Sequence, residues 1–420
     1  MTETHRRPDP QAAYGQWMAA CTAAGWRGTP VTEQVHVRDG LGRVAAAAVR
    51  ARWPSPRFAC AAMDGIALAA GSLAGAMIEA GQHVLPAAAF AWIDTGDPLP
   101  AGTDTVVERE RVALRADGGA LVAGPVTRGQ HVRVSGEDFR AGELLISAGR
   151  RLAPADLSAA ASGGHAALPV ARQPVVAIIP TGDEIRPVGS VLGPGEVTDT
   201  NSLMLAARTV QAGAMPAVTD VQPDDPDILA AATREAALSA DLVLVIAGSS
   251  RGRGDYTATV LDQVGGLAIH GVAVRPGHPA LLGYVKPARS GHAPPDGTPA
   301  VPAIGVPGYP LAAAVIFELF AAPLLARLAG SVFPDRMPVH ARLSCDWTSP
   351  PDVEDWVLVS LRGVPDPAGP GSHIVVATPA RGHGAGAVSR LARADGWWRV
   401  PIGQGQFAAG AYIQVQPAHT

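Results

Sequence analysis

Apolar residues fall into short runs along this chain, and the polar residues between the runs set the expected elements. Val175 to Ile179, Leu242 to Ala247, Ala268 to Val274 and Ala303 to Val306 are continuous apolar runs of strand length, the pattern of strands buried on both faces. Between or after them, Ser202 to Ala212, Asp227 to Ser239 and Leu311 to Leu328 read as helices. Strand alternating with helix over residues 173 to 330 predicts a doubly wound parallel sheet covered on both faces. The segment 286 to 302, with Pro294-Pro295-Asp296-Gly297, reads as a surface loop. The rest of the chain has a different rhythm. Residues 1 to about 57 begin helix-like, and the region from Pro54 to about 130 is β-like. There Phe90-Ala91-Trp92-Ile93, Thr105-Val106-Val107 and Ala120-Leu121-Val122 lie between Gly, Pro and Asp turns. Ala153-Pro154-Ala155-Asp156-Leu157 reads as a helix start with Pro in its first turn. Short strands return from about 334 to 420, around a Pro365 to Ser372 turn, and no repeat of fixed period is present.

Composition narrows this picture. A chain of 420 residues exceeds one ordinary core, so two to four domains are expected. Hydrophobic content of 47% is enough to fill them, and Gly 48 with Pro 38 favours many short elements. A net charge of −4 without a Lys/Arg block gives no sign of nucleic-acid binding. Cys21, Cys60 and Cys345 are scattered, forming neither a disulfide framework nor a zinc pair, which suits a reducing cytoplasm. His5, Arg6, Arg7 and Asp9 are followed by no apolar core, so no signal peptide is expected. No run of about 18 apolar residues stands out as a membrane span.

The candidate chemistry lies where the α/β strands end. The first ends at Thr181-Gly182-Asp183-Glu184, the next at Gly248-Ser249-Ser250-Arg251-Gly252-Arg253-Gly254-Asp255. The third ends at Arg275-Pro276-Gly277-His278-Pro279 and the last at Pro307-Gly308-Tyr309-Pro310. Carboxyl ends of neighbouring parallel strands converge, so these loops are expected to share one site. Glycines let backbone N–H groups approach an oxyanion, and helix starts add a favourable dipole. Arg251, Arg253 and Arg275 can neutralise phosphate. Asp183, Glu184, Asp224, Asp225 and Asp255 offer the oxygen ligands that Mg²⁺ takes. Each residue also has an ordinary reading. Asp183 can close a turn, Asp199 and Asn201 can cap a helix, and Asp224-Asp225-Pro226 can start one. His278 can be a surface residue. Asp64-Gly65, Thr95-Gly96 and Gly136-Glu137-Asp138 can be plain turns. No G-x-G-x-x-G, Walker A, H-E-x-x-H or G-x-S-x-G pattern is present.

In order along the chain, these segments resemble the molybdopterin molybdenumtransferase family, of the MoeA and gephyrin E-domain type. Gly42-Arg43-Val44 and Ala61-Ala62-Met63-Asp64-Gly65-Ile66-Ala67 are similar to G-R-V…S-A-M-D-G-Y-A. Thr95-Gly96 through Leu99-Pro100 and Gly102, with Val106-Val107 and Glu110, resemble T-G-x-x-L-P-x-G-x-x-x-V-V. Gly136-Glu137-Asp138 with Gly142 resembles G-E-D-x-x-x-G, and Thr181 to Ile185 with Asp199 and Asn201 resemble T-G-D-E-L…D-x-N. Arg275 to Pro279 and Val306 to Pro310 resemble K-P-G-K-P and L-P-G-N-P. The match covers nearly the whole chain after residue 30 and marks it as a divergent member. Ile66 replaces the tyrosine, His278 the second lysine, Tyr309 the asparagine and Ala312 a serine.

The resemblance implies an elongated multidomain chain. Residues 1–59 with 131–172 would form a split N-terminal domain, 60–130 a small β-rich domain, 173–330 a MogA-like α/β domain, and 334–420 a C-terminal β-barrel-like domain. It implies a homodimer with a site shared between subunits, and transient contact with other cofactor-synthesis proteins. The implied reaction inserts molybdenum from molybdate into adenylylated molybdopterin with Mg²⁺ and releases AMP. Its alternative is a non-catalytic member that binds the cofactor or scaffolds a partner. Carried over by motif, Asp64, Thr95, Asp138, Glu184, Asp225 and Asp255 are the implied catalytic residues, with Asp255 and Glu184 holding Mg²⁺. Thr181, Gly182, Asp183, Asn201, Gly248, Ser249, Ser250, Arg275, His278, Pro307 and Gly308 are the implied substrate-binding residues.

Overall fold

Val175–Pro180 and Leu242–Ala247 alternate their side chains between two cores. Val176, Ile178, Leu242, Leu244 and Ile246 enter one core. Ala177, Ile179, Val243 and Val245 enter the other. A strand covered on both faces must be apolar at every position, which is why these runs carry no polar interruptions. The computed structural model describes residues 7–247, 256–289, 291–331, 337–366, 369, 371–380, 386 and 388–418. Its contacts divide the chain into two units, Met1–Val31 with Arg172–Thr420, and Thr32–Ala171.

In the first unit a six-stranded sheet has the order Met215–Val218, Val175–Pro180, Leu242–Ala247, Val301–Pro307, Leu281–Val285, Gly265–His270. The first four strands are parallel. Leu281–Val285 runs antiparallel to both its neighbours, so Gly265–His270 points the same way as the parallel strands. The predicted all-parallel sheet is therefore mixed at one edge. Helices Pro10–Ala23, Asn201–Gln211 and Pro310–Ile316 contribute to one core. Pro226–Ala236 and Thr257–Val264 contribute to the other.

The predicted strand Ala268 to Val274 is two pieces. Gly271 at φ 87 turns the chain after His270, and Val274–Arg275 pairs elsewhere. Pro310–Ile316 continues through a π-helical segment, Phe317–Ala321, into Ala322–Leu328. Pro323 has no N–H for the carbonyl one turn back, and the wider segment before it absorbs that lost bond. By length and composition Pro310–Leu328 would suit a membrane span, against the reading of the sequence, but 78% of its window is buried inside the protein. It is a core helix.

The C-terminal strands Glu354–Pro365, His373–Pro379, Val339–Leu343, Tyr412–Pro417 and Gly396–Val400 close into a five-stranded barrel around Val357, Val359, Trp398 and Val415. Outward-facing Trp356, Leu358 and Trp397 join the core of the long helix. The unit Thr32–Ala171 holds a three-stranded sheet of Phe90–Ile93, Gly65–Leu68 and Thr105–Glu108, beside a four-stranded one. Chain segments on either side of this region pair with each other, Thr32–His36 with Ala167–Ala171 and Cys60–Ala61 with Val132–Arg133. The helix Pro10–Ala23 lies outside that pairing and packs on the α/β sheet instead.

Candidate functional site

At the carboxyl edge of the sheet, Thr181 ends the first strand. Its N–H and Oγ both donate to Ile246 O, each at 3.0 Å. Gly182 follows at φ 134 with its N–H on Gln222 O. At that φ any side chain is strained, and a Cβ would also lie 2.8 Å from Ile185 Cγ1 and 2.9 Å from Glu184 Oε2, so the turn favours glycine. The turn leaves Asp183 and Glu184 exposed past the strand. Asp183 Oδ1 accepts the Asp224 N–H at 3.2 Å. Partial burial, then the charges of Asp183 and Glu184, push the Asp224 carboxyl above its ordinary value. Asp224 thus joins the edge predicted from Asp183 and Glu184. Asp225, expected among the catalytic residues, also has a structural task. It is the N-cap of Pro226–Ala236, accepting from Asp227 N–H at 2.9 Å and Ile228 N–H at 3.0 Å.

The helix Asn201–Gln211 starts beside the last strand. Asp199 Oδ1 accepts the Ser202 N–H at 3.0 Å and caps it. Asn201 Nδ2 donates to Gly308 O at 2.7 Å and so holds the Pro307-Gly308 loop. Among the described residues, Asn201 Oδ1 and Ser202 Oγ are buried with no hydrogen-bond partner, polar groups that suit a ligand or an ordered water. Ser202 was not singled out from the sequence, where a serine at a helix start reads only as a cap.

The loop after Gly265–His270 returns to the sheet through Arg275 and His278, predicted to hold anions. Arg275 pairs with a carboxylate of the C-terminal barrel. Its Nε and Nη2 lie 3.0 and 2.8 Å from the two carboxylate oxygens of Asp355, which is 2% exposed. Asp355 also accepts from Ser349 Oγ at 2.7 Å, and Val274–Arg275 pairs in parallel with Glu354 and Asp355 of the barrel. The forked guanidinium therefore ties this loop to the C-terminal barrel. Arg275→Ala should lower stability by about 2 kcal/mol in denaturant melts, less than for a fully buried pair because the arginine is half exposed. Arg275→Lys, which loses the fork, should recover only part of that. Burial, then the charge of Arg7, lowers the His278 pKa. Its imidazole is neutral at neutral pH and, without a bound anion, is no standing positive charge.

In the other unit the Asp64 turn is built by close main-chain contact. A Cβ on Gly65 would lie 1.9 Å from Val107 O. Asp64 Oδ1 accepts from Thr95 N–H at 2.7 Å and Thr95 Oγ at 2.6 Å. These two bonds, with a smaller contribution from Arg109, hold the exposed carboxyl below its usual range. Asp64 and Thr95, two of the residues carried over by motif, are thus hydrogen-bonded to each other. Asp138 lies exposed in a separate turn, with its N–H on Ser55 O at 2.9 Å.

The predicted Gly248, Ser249, Ser250 and Asp255, with Arg251 and Arg253, lie outside the described residues. Among the described residues no three His, Cys, Asp or Glu side chains are placed to hold a metal ion. The described donors at the strand edge are carboxylate oxygens, which match a hard cation in kind though not yet in number.

Residues 12–164 match the MoeA N-terminal region (domain I and II). Residues 177–327 match a probable molybdopterin binding domain, and 340–418 the MoeA C-terminal region (domain IV). The molybdopterin molybdenumtransferase 2 of Mycobacterium tuberculosis is 32% identical over 96% of this chain and 97% of its own. The molybdopterin molybdenumtransferase of Bacillus subtilis is 27% identical over 91% of this chain and 89% of its own. The solved molybdopterin biosynthesis MoeA protein of Pyrococcus horikoshii superposes with a TM-score of 0.78 at 28% identity, covering 98% of this chain and 99% of that one.

Proposed function

Because the chain belongs to the molybdopterin molybdenumtransferase family, we propose that it inserts molybdenum from molybdate into adenylylated molybdopterin and releases AMP. The observation that carries the reading is the strand edge, where Gly182 presents Glu184 and Asp183 beside an Asp224 of raised pKa. Carboxylates gathered on one exposed edge offer the oxygen ligands a hard cation takes. In this reading Glu184 and Asp255 hold Mg²⁺, which when bound neutralises charge on the phosphoanhydride. Thr181, Gly182, Asp183, Asn201 and the Pro307-Gly308 loop seat the substrate, joined by Gly248, Ser249 and Ser250. Asp64, oriented by Thr95, supplies a fixed negative charge, and Asp138 belongs to the same set. Homodimerisation is part of the proposal, and sedimentation should give twice the 42.9 kDa chain mass.

Incubation with adenylylated molybdopterin, molybdate and Mg²⁺ should release AMP, with the rate dependent on both ions. Intact substrate at the end would overturn the reading. A second reading, a non-catalytic cofactor-binding or scaffold protein, draws support from Arg275 held by Asp355 and from the neutral His278. Tight retention of the substrate without AMP would favour it.

His278 gives a pH signature. Its folded pKa lies below the ordinary 6.5, so the unfolded chain binds more protons below that value. Its contribution to stability is therefore present above pH 6.5 and is lost as pH falls through the folded pKa. An oxyanion bound at the loop would favour the protonated ring. Molybdate affinity, measured calorimetrically, should rise several-fold between about pH 8 and about pH 6, and His278→Lys should flatten that slope.

A further inference from the structure

Two residues flanking the Asp64 turn, His131 and Glu108, are not among those the family motifs brought forward. His131 has φ 52, in the left-handed region that few residues other than glycine enter and where His and Asn are enriched. Its carbonyl oxygen accepts the Ala62 N–H at 2.8 Å, two residues before Asp64. On the other side of the turn, Glu108 stands opposite Gly65 in the antiparallel pairing of Gly65–Leu68 with Thr105–Glu108. The next residue, Arg109, donates its N–H to Asp64 O at 3.0 Å. The turn is thus held on entry by the main chain of His131 and on exit by the strand of Glu108.

The two holders also meet each other. His131 Nε2 lies 3.0 Å from Glu108 Oε2, an ion pair whenever the imidazole is protonated. Arg111 Nη1 lies 3.6 Å from Glu108 Oε1. Burial works against the Glu108 carboxylate, but its own main-chain N–H, Arg111 and His131 outweigh burial and keep it ionised. Both side chains are only partly exposed, 34% and 20%, so their attraction is screened less than at an open surface.

We propose that His131 is a positioning residue that, with Glu108, braces the Asp64 turn and so sets where the Asp64 carboxylate stands. The catalytic consequence rests on the role given to Asp64 under the proposed function; the brace itself does not. Misplacing a reacting group by about 1 Å can cost about 100-fold in rate, so a loosened turn should show first in turnover. His131→Ala loses both the left-handed preference and the ring. His131→Asn keeps the backbone preference and loses the ring, and Glu108→Gln keeps the side-chain shape and loses the charge.

The test measures kcat and KM for AMP release together with amide exchange at Ala62 and Arg109. His131→Ala should lower kcat about 10-fold with KM nearly unchanged, and both amides should exchange about 10-fold faster. His131→Asn should recover part of kcat, and adding Glu108→Gln to it should cost clearly less than Glu108→Gln costs in the parent chain, because the contact with His131 is already gone and the one with Arg111 remains to be lost. Wild-type kcat in His131→Ala, a loss confined to KM, or an additive double variant would overturn the proposal. If the wild-type chain releases no AMP, the functional reading fails on its own. The exchange rates then decide the brace, which unchanged protection in both His131→Ala and Glu108→Gln would refute.

Discussion

Asp64→Asn is expected to lower AMP release by about 100-fold or more while leaving the melting temperature close to that of the parent chain. The substitution keeps an oxygen where Oδ1 accepts from the Thr95 N–H and Oγ, at 2.7 and 2.6 Å, so the turn persists. What it removes is the charge, which these two bonds and Arg109 hold in place below the ordinary carboxylate range. A fixed charge at a reacting centre is commonly worth about 10²–10³ in rate. Thr95→Val removes the hydroxyl donor but keeps the main-chain N–H, so its loss should be smaller, about 10-fold. The order of the two separates charge from orientation. If Asp64→Asn turns over at the parent rate, Asp64 has no part in the chemistry. The lowered pKa carries a sign: Asp64 remains charged above its depressed value, so any loss of rate in the ordinary carboxylate range must come from another group, such as Asp224.

The α/β half of the molecule was legible because its strands are buried on both faces. Burial of that kind forbids polar residues, so Val175 to Ile179 and Leu242 to Ala247 stand out without any periodicity. Leu281–Val285 and Gly265–His270 were harder to read. They form the antiparallel end of the sheet, and glycines occupy close-packed points of it; a Cβ on Gly283 would lie 2.4 Å from Gly266 O. Apolar density is therefore diluted where the backbone approaches most closely. At the site, Thr181 and Gly182 stood out at the end of a buried strand, whereas Asp64 and Thr95, which can be plain turns by themselves, came forward only through the family motifs. Asp225 and Arg275 were read by type as well, but a carboxylate before Pro is equally a helix cap, and a guanidinium takes whichever carboxylate the fold offers. Asp355 is that carboxylate, 80 residues away in sequence, and no local pattern announces it. His131 and Glu108 were hidden for a related reason, since a left-handed histidine shows only in the backbone.

Trp17→Ala is expected to destabilise the unit containing the α/β sheet by about 3–5 kcal/mol, the usual range for truncating a fully buried aromatic. Trp17 is 0% exposed. Its indole N–H donates to Gly283 O at 2.6 Å, and its ring meets Tyr14 and Phe320 edge-on at 6.0 and 6.4 Å. The alanine variant therefore leaves a cavity between the N-terminal helix and the sheet, and also leaves a buried carbonyl short of a donor. The expected loss is local to one unit. The helix Pro10–Ala23 precedes the segment that enters Thr32–Ala171, and from sequence position alone it would be grouped with residues 32–59. Its apolar side chains pack instead on strands more than two hundred residues later. Amide exchange resolves the two cases. In Trp17→Ala, protection should fall across Gly265–His270 and Leu281–Val285 and stay unchanged across Gly65–Leu68 and Thr105–Glu108. Loss of protection in the second pair of strands with retention in the first would place the helix in the other unit.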